Sequence, residues 1–304
     1  METRRTLLVD AFTSEPLAGN VAGVVPDADG LTDEQMQRIA AELGASETAF
    51  LTDVEPDDDA DRRIRYFTPT TEVDLCGHAT IAAYATLFAD GTIDAGTDLL
   101  ATAVGDLPIT VTEEGAVRMQ QETPTVRPVE VDYDRLGEAL GIDPAALRDV
   151  GADLPVAVAS TGLPFLIVPV NFLEHLGGAS PDMDAVEALA DEHDAAGVYA
   201  FTFDAIDADS TLHGRAFAPG AGIPEDPVTG TASGACGAYL DEVAAFDGEL
   251  PDEMRFEQGH FVDRPGHVDV WVDGDEVAVG GEAVVSLDGE LRVPETADDE
   301  IIEA

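Results

Sequence analysis

The chain has 304 residues, enough for one large or two ordinary domains, and 45% of them are hydrophobic, so it can bury a core and its acidity is not a mark of disorder. Its formal net charge is −49, from 63 acidic residues against 14 basic ones, all of them arginine. Such an excess repels nucleic acid and anionic membrane surfaces, and without lysine the chain can form neither a pyridoxal-phosphate Schiff base nor a P-loop.

The same charge repels itself at ordinary ionic strength. At about 1 M salt the Debye length falls to ~3 Å and the repulsion is largely screened. The composition therefore predicts a cytoplasmic protein of an extreme halophile, the alternative being a merely acidic mesophilic protein. Only two cysteines occur, Cys76 and Cys236, too few for a disulfide framework and without C-x-x-C spacing. Cys76 and His78 are conceivable metal ligands, but no second Cys/His cluster completes a tetrahedral set, so no metal is expected. The N-terminus passes directly into an apolar strand too short for a signal sequence, and no apolar run reaches the ~18 residues of a membrane span.

Taken in order, Thr6 to Phe12 and Val21 to Val25 read as strands around a turn at Pro16 to Asn20. Thr32-Asp33-Glu34-Gln35 is a capping box opening a helix to about Leu43, which Gly44 stops. A short strand over Ala45 to Leu51, an acidic loop over Asp53 to Asp61 and a strand over Arg63 to Thr68 follow. The run Ile81 to Phe88 is apolar nearly all the way round, which predicts a helix buried on every side. Leu99 to Val104, Pro108 to Thr112 and Ala116 to Gln121 read as antiparallel strands, with a turn at Glu113-Glu114-Gly115.

Glu122 to Pro128 carries two prolines and little apolar content, which places a domain boundary there: domains 1–122 and 129–294. Helices at Tyr133 to Leu140 and Pro144 to Val150 open the second half, and Val156 to Val170 forms two strands broken at Gly162. Asp182 to His193 is an acidic surface helix, and Val198 to Phe203 and Leu212 to Phe217 are strands. A second small-residue helix opens at Glu225-Asp226-Pro227 and runs to Leu240. Arg255 to Glu257, Val268 to Val272, Val277 to Val279 and Ala283 to Leu287 form a terminal meander, followed by an acidic tail, Glu295 to Ala304.

The two buried helices share a lead-in. Arg65-Tyr66-Phe67-Thr68-Pro69 precedes the first and Arg215-Ala216-Phe217-Ala218-Pro219 the second, about half a chain apart. This predicts an α+β protein of two similar domains, each with one buried helix. If the halves face each other, both helix N-termini point at one cleft, where their free N–H groups suit a carboxylate or an enolate-like anion.

The first helix opens with Cys76-Gly77-His78, where Gly77 lets the backbone approach a ligand. Glu47, beside the apolar Ala49-Phe50-Leu51, is partly desolvated in this reading, which suits general acid/base work, although an exposed glutamate at a strand start is equally compatible with the residues. Asp226 stands at the second helix as either a functional carboxylate or a helix cap.

These residues also carry a resemblance. Val9-Asp10-Ala11-Phe12-Thr13, the Gly19-Asn20 turn, Ser46 to Phe50, Arg65 to Thr80, Arg215 to Ala232 and Gly280-Gly281 span nearly the whole chain in order. In them the chain resembles the phenazine-biosynthesis PhzF-like family, which shares the diaminopimelate epimerase fold. The resemblance implies that each of the two similar domains is a curved, mostly antiparallel sheet around a buried central helix, with acid/base isomerisation in the cleft between them, without metal or cofactor, and a homodimer. Glu47 matches the family's catalytic glutamate, and His78 and Asp226 its partner residues. Gly77, Gly230 and Thr231, with Cys76 beside them, match positions that hold a substrate carboxylate. Val21 stands where the family often has proline, and Thr231 where serine is common.

Epimerases of this fold use two cysteines as paired bases. Cys76 fits the first position, but Asp226-Pro227-Val228-Thr229-Gly230 contains no thiol at the second, and Cys236 reads as packing two turns into the helix. The expectation is a carboxylate-driven isomerase of a small carboxylate-bearing metabolite. An epimerase using Glu47 or Cys76 as one base, and a metabolite-binding protein without chemistry, are the rivals.

Overall fold

The computed structural model describes residues 2–54, 59–151, 153–247 and 249–295, and the chain divides into two units. The first comprises Met1–Leu17, Val21–Val117 and Glu282–Ala304, so far as these are described. The second comprises Ala18–Asn20 and Arg118–Gly281. Parts of the expected acidic loop (55–58) and acidic tail (296–304) lie outside the described residues.

In the first unit the strands are β1 (Thr3–Ala11), β2 (Asn20–Val25), β3 (Thr48–Thr52), β4 (Arg62–Phe67), β5 (Glu72–Val73), β6 (Gly96–Thr102) and β7 (Gly105–Val111). The helices are α1 (Asp33–Leu43) and α2 (Gly77–Ala89). The capping box of α1 closes as expected: Gln35 N–H donates to Thr32 Oγ1, the Gln35 side chain accepts from Thr32 N–H, and Gly44 ends the helix in the left-handed region.

β1 pairs antiparallel with the chain's last strand, Ala283–Arg292, and also with β2. β2 runs parallel to β3, β3 antiparallel to β4, β4 parallel to β6, and β6 antiparallel to β7. Each parallel step is spanned by a helix, α1 between β2 and β3 and α2 between β4 and β6, because parallel neighbours need a long crossover. α2 packs on the last strand, β1, β3 and β7, so the sheet curves round a helix whose residues Ala79 to Leu87 are all buried. The last strand, assigned from the sequence to the second half, thus belongs to the first unit through its register with β1.

The second unit begins its sheet at β8 (Val117–Gln120) and continues through β9 (Thr125–Pro128), β10 (Ala157–Ser160), β11 (Pro164–Pro169), β12 (Gly197–Thr202), β13 (Leu212–Ala218), β14 (Ile223–Asp226), β15 (Met254–Gln258), β16 (Gly266–Asp273) and β17 (Glu276–Gly281). Its helices are α3 (Tyr133–Leu140), α4 (Pro144–Arg148), α5 (Leu173–Gly177), α6 (Met183–Glu192) and α7 (Gly230–Glu242). Pairing runs β9–β10–β11–β12–β13–β15–β16–β17, parallel only at β11/β12 and β13/β15. α7 touches β9, β10 and β11 at one end of that order and β16 and β17 at the other, so this sheet too curves round its helix.

Small residues are what let α7 sit so close. A Cβ at Gly237 would stand 2.6 Å from Val270 Cγ1, and one at Gly234 3.0 Å from Val279 Cγ1. A second apolar layer joins α3, α4 and α6 to β11 and β12 through Leu136, Leu140, Leu147, Leu166, Val186 and Leu189. The architecture is the expected α+β one. One element differs: Glu225 and Asp226 do not open the second helix but end strand β14, which pairs Asp226 with Ala216, and the helix starts at Gly230. Pro227, which has no N–H to give a ladder, stands just where the strand ends.

Candidate active site

Three side chains meet at the N-terminus of α2. Glu47 sits between the Gly44 helix stop and β3, and its carbonyl is held by Gly23 N–H at 2.9 Å. Its Oε2 lies 3.4 Å from His78 Nε2, with both side chains mostly shielded, 18% and 13% exposed. Ser46 Oγ approaches the same ring nitrogen at 3.4 Å. The other ring nitrogen, Nδ1, lies 3.4 Å from Cys76 Sγ. The carboxylate, the imidazole and the thiol thus meet at one point, with ligand atoms of all three within 4.8 Å of one another, close enough to exchange a proton.

The backbone fixes this trio. Cys76 is the N-cap residue of α2 in an extended conformation, and its side chain makes no capping bond. The N-cap carbonyl is held instead: Thr80 Oγ1 donates to Cys76 O at 2.7 Å, and Tyr66 OH contacts Thr80 Oγ1 at 2.6 Å. Burial of Tyr66 pushes its phenol above the usual tyrosine range, so it stays neutral and acts as a strut. A Cβ at Gly77 would meet no atom of the described residues within 4 Å, so space lies open beside the first-turn N–H groups.

In the second unit the candidate Asp226 is held on both oxygens. Asn20 Nδ2 donates to Oδ1 at 2.9 Å, and Thr229 Oγ1 donates to Oδ2 at 2.6 Å. Asn20 Nδ2 also donates to Val228 O, and Gln258 Nε2 donates to Asp226 O at 2.7 Å. Gln258 Oε1 accepts from Thr229 N–H at 3.2 Å. The N-cap residue of α7 is Thr229, not Asp226. Gly230 and Thr231 form the first turn, and Thr231 O accepts from Thr161 Oγ1 at 3.3 Å.

The lead-in motif does the same work in each unit. Arg65 clamps Glu72 through Nε and Nη2, at 2.7 and 2.8 Å, and its guanidinium lies 5.2 Å from the Phe67 ring centre. Arg215 clamps Glu225 through the same two atoms, at 2.8 and 2.7 Å, and lies 5.1 Å from the Phe217 ring. Each clamp ties a strand to its short antiparallel partner, β4 to β5 and β13 to β14, just ahead of the buried helix. In that correspondence Cys76 matches Thr229, Gly77 matches Gly230 and His78 matches Thr231.

Residues 9–289 match the phenazine biosynthesis-like family, PhzC-PhzF. The chain belongs to that family. It is 36% identical over 301 residues to the uncharacterized isomerase YfhB of Bacillus subtilis, covering 97% of this chain and 98% of the relative. It is 32% identical over 276 residues to the trans-2,3-dihydro-3-hydroxyanthranilate isomerase of Pseudomonas aeruginosa, covering 89% and 91% of the two chains. Among solved structures, a phenazine biosynthesis protein of the PhzF family from Bacillus anthracis superposes with a TM-score of 0.86 at 35% identity, covering 96% of this chain and 100% of that one. A hydroxyproline epimerase from Agrobacterium vitis, at 13% identity and TM-score 0.56, shares the fold alone. The protein is an isomerase of the PhzF family, which sets aside the reading of a binding protein without chemistry.

Two residues of the site went unread in the sequence. Asn20 read only as part of a turn, yet it holds Asp226. The turn itself is placed by Arg264, which donates to Gly19 O and Ala18 O at 2.9 and 2.8 Å. Gln258 was not singled out at all, and only the strand register brings it to Thr229. The Gly-Asn pair before a strand was the one available signal.

Proposed function

We propose that the enzyme moves a proton on a small, carboxylate-bearing metabolite without a cofactor, with Glu47 taking the proton from carbon. The observation that carries this reading is the juxtaposition of Glu47 and His78, at 3.4 Å, beside the open N-terminus of α2. Moving a proton between carbons changes no oxidation state, so a base, an acid and anion stabilisation suffice. His78 accepts or returns the proton through Nε2, with Cys76 Sγ beside its ring. The N–H groups at Gly77 hold the substrate carboxylate, as helix N-termini do for anions, and Gly230 and Thr231 offer the same kind of free N–H groups at the start of α7. Asp226, locked by Asn20 and Thr229, is the second functional carboxylate.

The relative from Pseudomonas aeruginosa supplies a first substrate to try, trans-2,3-dihydro-3-hydroxyanthranilate. It belongs in a wider panel of small unsaturated or hydroxylated carboxylates, each incubated with enzyme in deuterated, multimolar KCl. The expected result is deuterium at carbon and a changed connectivity for at least one compound, and loss of both in Glu47→Gln. Deuterium uptake with inverted configuration but unchanged connectivity overturns isomerisation in favour of epimerisation. Full activity of Glu47→Gln overturns the assignment of the base.

A further inference from the structure

Three of the chain's six histidines gather in the second unit, and none of them is among the site residues above. His213 on β13 is in register with Glu257 on β15, and Glu257 with His267 on β16. Paired residues share a sheet face, so the three form a row across three strands. Gln258, the next residue, points to the opposite face, where it serves Thr229 and Asp226. His260, in the short 3-10 turn His260–Val262 that follows β15, closes over the row, its ring centre 5.2 Å from that of His213.

Glu257 is fixed by three donors. It accepts Ile206 N–H at 2.6 Å, Asp207 N–H at 2.9 Å and His213 Nδ1–H at 2.7 Å. A carboxylate that only accepts makes Nδ1 of His213 the donor, which leaves a lone pair on Nε2. The His213 side chain is wholly buried, and its Nε2 has no hydrogen-bond partner among the described residues. The same holds for Nδ1 of His260 and Nε2 of His267, although the latter lies 3.7 Å from Asp207 Oδ2. One ligand atom each from His213, Glu257 and His260 lies within 4.8 Å of the others.

Buried ring nitrogens left unpaired are costly, and three in one cluster call for a shared partner. A histidine whose far nitrogen is held by a carboxylate is the usual second-shell arrangement of a metal ligand. Imidazole donors suit a borderline divalent ion rather than Ca²⁺ or Mg²⁺. We propose that Nε2 of His213 and Nδ1 of His260 bind one divalent transition-metal ion of the zinc class, with Glu257 holding His213 from behind and His267 the adjacent nitrogen. The ion ties the turn after β15 to β13. Arg264, which places Gly19 and hence Asn20, belongs to that same turn, so the ion's role is to hold the framework of the second unit.

The test uses the full chain, stripped with a chelator in multimolar KCl and titrated with Co²⁺. Molar K⁺ competes away weak binding to the acidic surface. The expected result is one equivalent of Co²⁺ with visible ligand-field absorption, displaced by Zn²⁺, and a melting temperature that rises with free metal. His260→Gln, at a half-buried turn position, should weaken binding by about 100-fold or more while the metal-free variant melts as the parent does. His213→Gln should do the same if it folds. Glu47, Cys76 and His78 of the first unit also bring ligand atoms together, so Cys76→Ser is the decisive companion. Binding that survives Cys76→Ser and falls in His260→Gln supports the site. Binding lost in Cys76→Ser but kept in His260→Gln, or no stoichiometric binding at all, overturns it.

Discussion

Removing the guanidinium of Arg215 should be the most damaging single change in the second unit outside its apolar core. The side chain is 6% exposed and clamps both oxygens of Glu225, at 2.8 and 2.7 Å. Its Nη1 also donates to Leu176 O at 2.9 Å and Ala179 O at 3.2 Å, and the Phe217 and Phe261 rings each lie 5.1 Å from it. Arg215→Met keeps much of the apolar stem but leaves the Glu225 carboxylate, 13% exposed, without its guanidinium partner. Breaking a buried pair in this way typically costs ~3–5 kcal/mol, because a charge stays behind uncompensated. At roughly 2–4 °C per kcal/mol for chains of this size class, the melting temperature should fall by about 6–20 °C.

Salt separates this clamp from a surface contact. Buried pairs are screened little, so the loss should persist in multimolar KCl. Arg5 pairs with Asp288 and Asp90 on the exposed edge of the first unit, and Arg5→Met should leave the melting temperature nearly unchanged there. In the double variant Arg215→Met/Glu225→Gln the stranded charge is gone, so part of the loss should return. Thermal melts followed by circular dichroism check all three. A loss in Arg215→Met no larger than in Arg5→Met would refute the argument, and so would a double variant less stable than the sum of its singles.

The net charge of −49 predicts loss of cooperative melting on dialysis to ~0.1 M salt, where exposed charges interact over ~10 Å; an unchanged melt there removes the case for a halophile. Gly237→Ala should destabilise by ~1–3 kcal/mol through the 2.6 Å approach to Val270, despite the better helix propensity of alanine, whereas Gly77→Ala, in open space, should fold normally and lose substrate affinity. Thermal melts and substrate titration separate the two, and a Gly77→Ala enzyme with normal affinity argues against a substrate at that helix end. Light scattering in high salt should give twice the monomer mass of 31.8 kDa if the chain is a homodimer, and the monomer mass ends that expectation.

What the sequence disclosed was mostly local or repeated. The all-apolar run Ile81 to Phe88 marked a buried helix because no polar face was left to meet water. The Thr32 capping box and the Gly44 stop bounded α1 to the residue. The R-x-F-x-P echo told of two similar units, and the structure shows why it recurs: each copy builds an arginine clamp over its own phenylalanine. Partner choice between distant strands left no local trace. The last strand reads as one more step of a meander, and only pairing from Thr3 with Arg292 to Ala11 with Ala283 puts it in the first unit. Short strands such as Glu72–Val73 exist because an arginine pins them, not because of any alternation. His213, Glu257 and His267 come together by register across β13, β15 and β16, so no ligand spacing announces them.

Proximity alone does not choose between Glu47 and Cys76 as the base, since His78 stands 3.4 Å from each. The second unit narrows the choice. A two-thiol epimerisation needs a second cysteine at the matching helix start, where this chain has Thr229. Cys236 lies wholly buried inside α7, and burial pushes its thiol well above the ordinary range, so it cannot serve. What remains is one thiol or one carboxylate. Cys76 is 9% exposed and lies 3.4 Å from the imidazole, so a thiolate there would have to be made at the expense of His78. Glu47 takes a proton with no prior activation, and removing a general base typically costs ~10²–10⁴-fold in rate. Isotope exchange should therefore fall by about that factor in Glu47→Gln and by less than about tenfold in Cys76→Ser, whose hydroxyl can still support His78. Exchange that dies in Cys76→Ser and persists in Glu47→Gln would make the thiol the base and return the enzyme to single-base epimerisation.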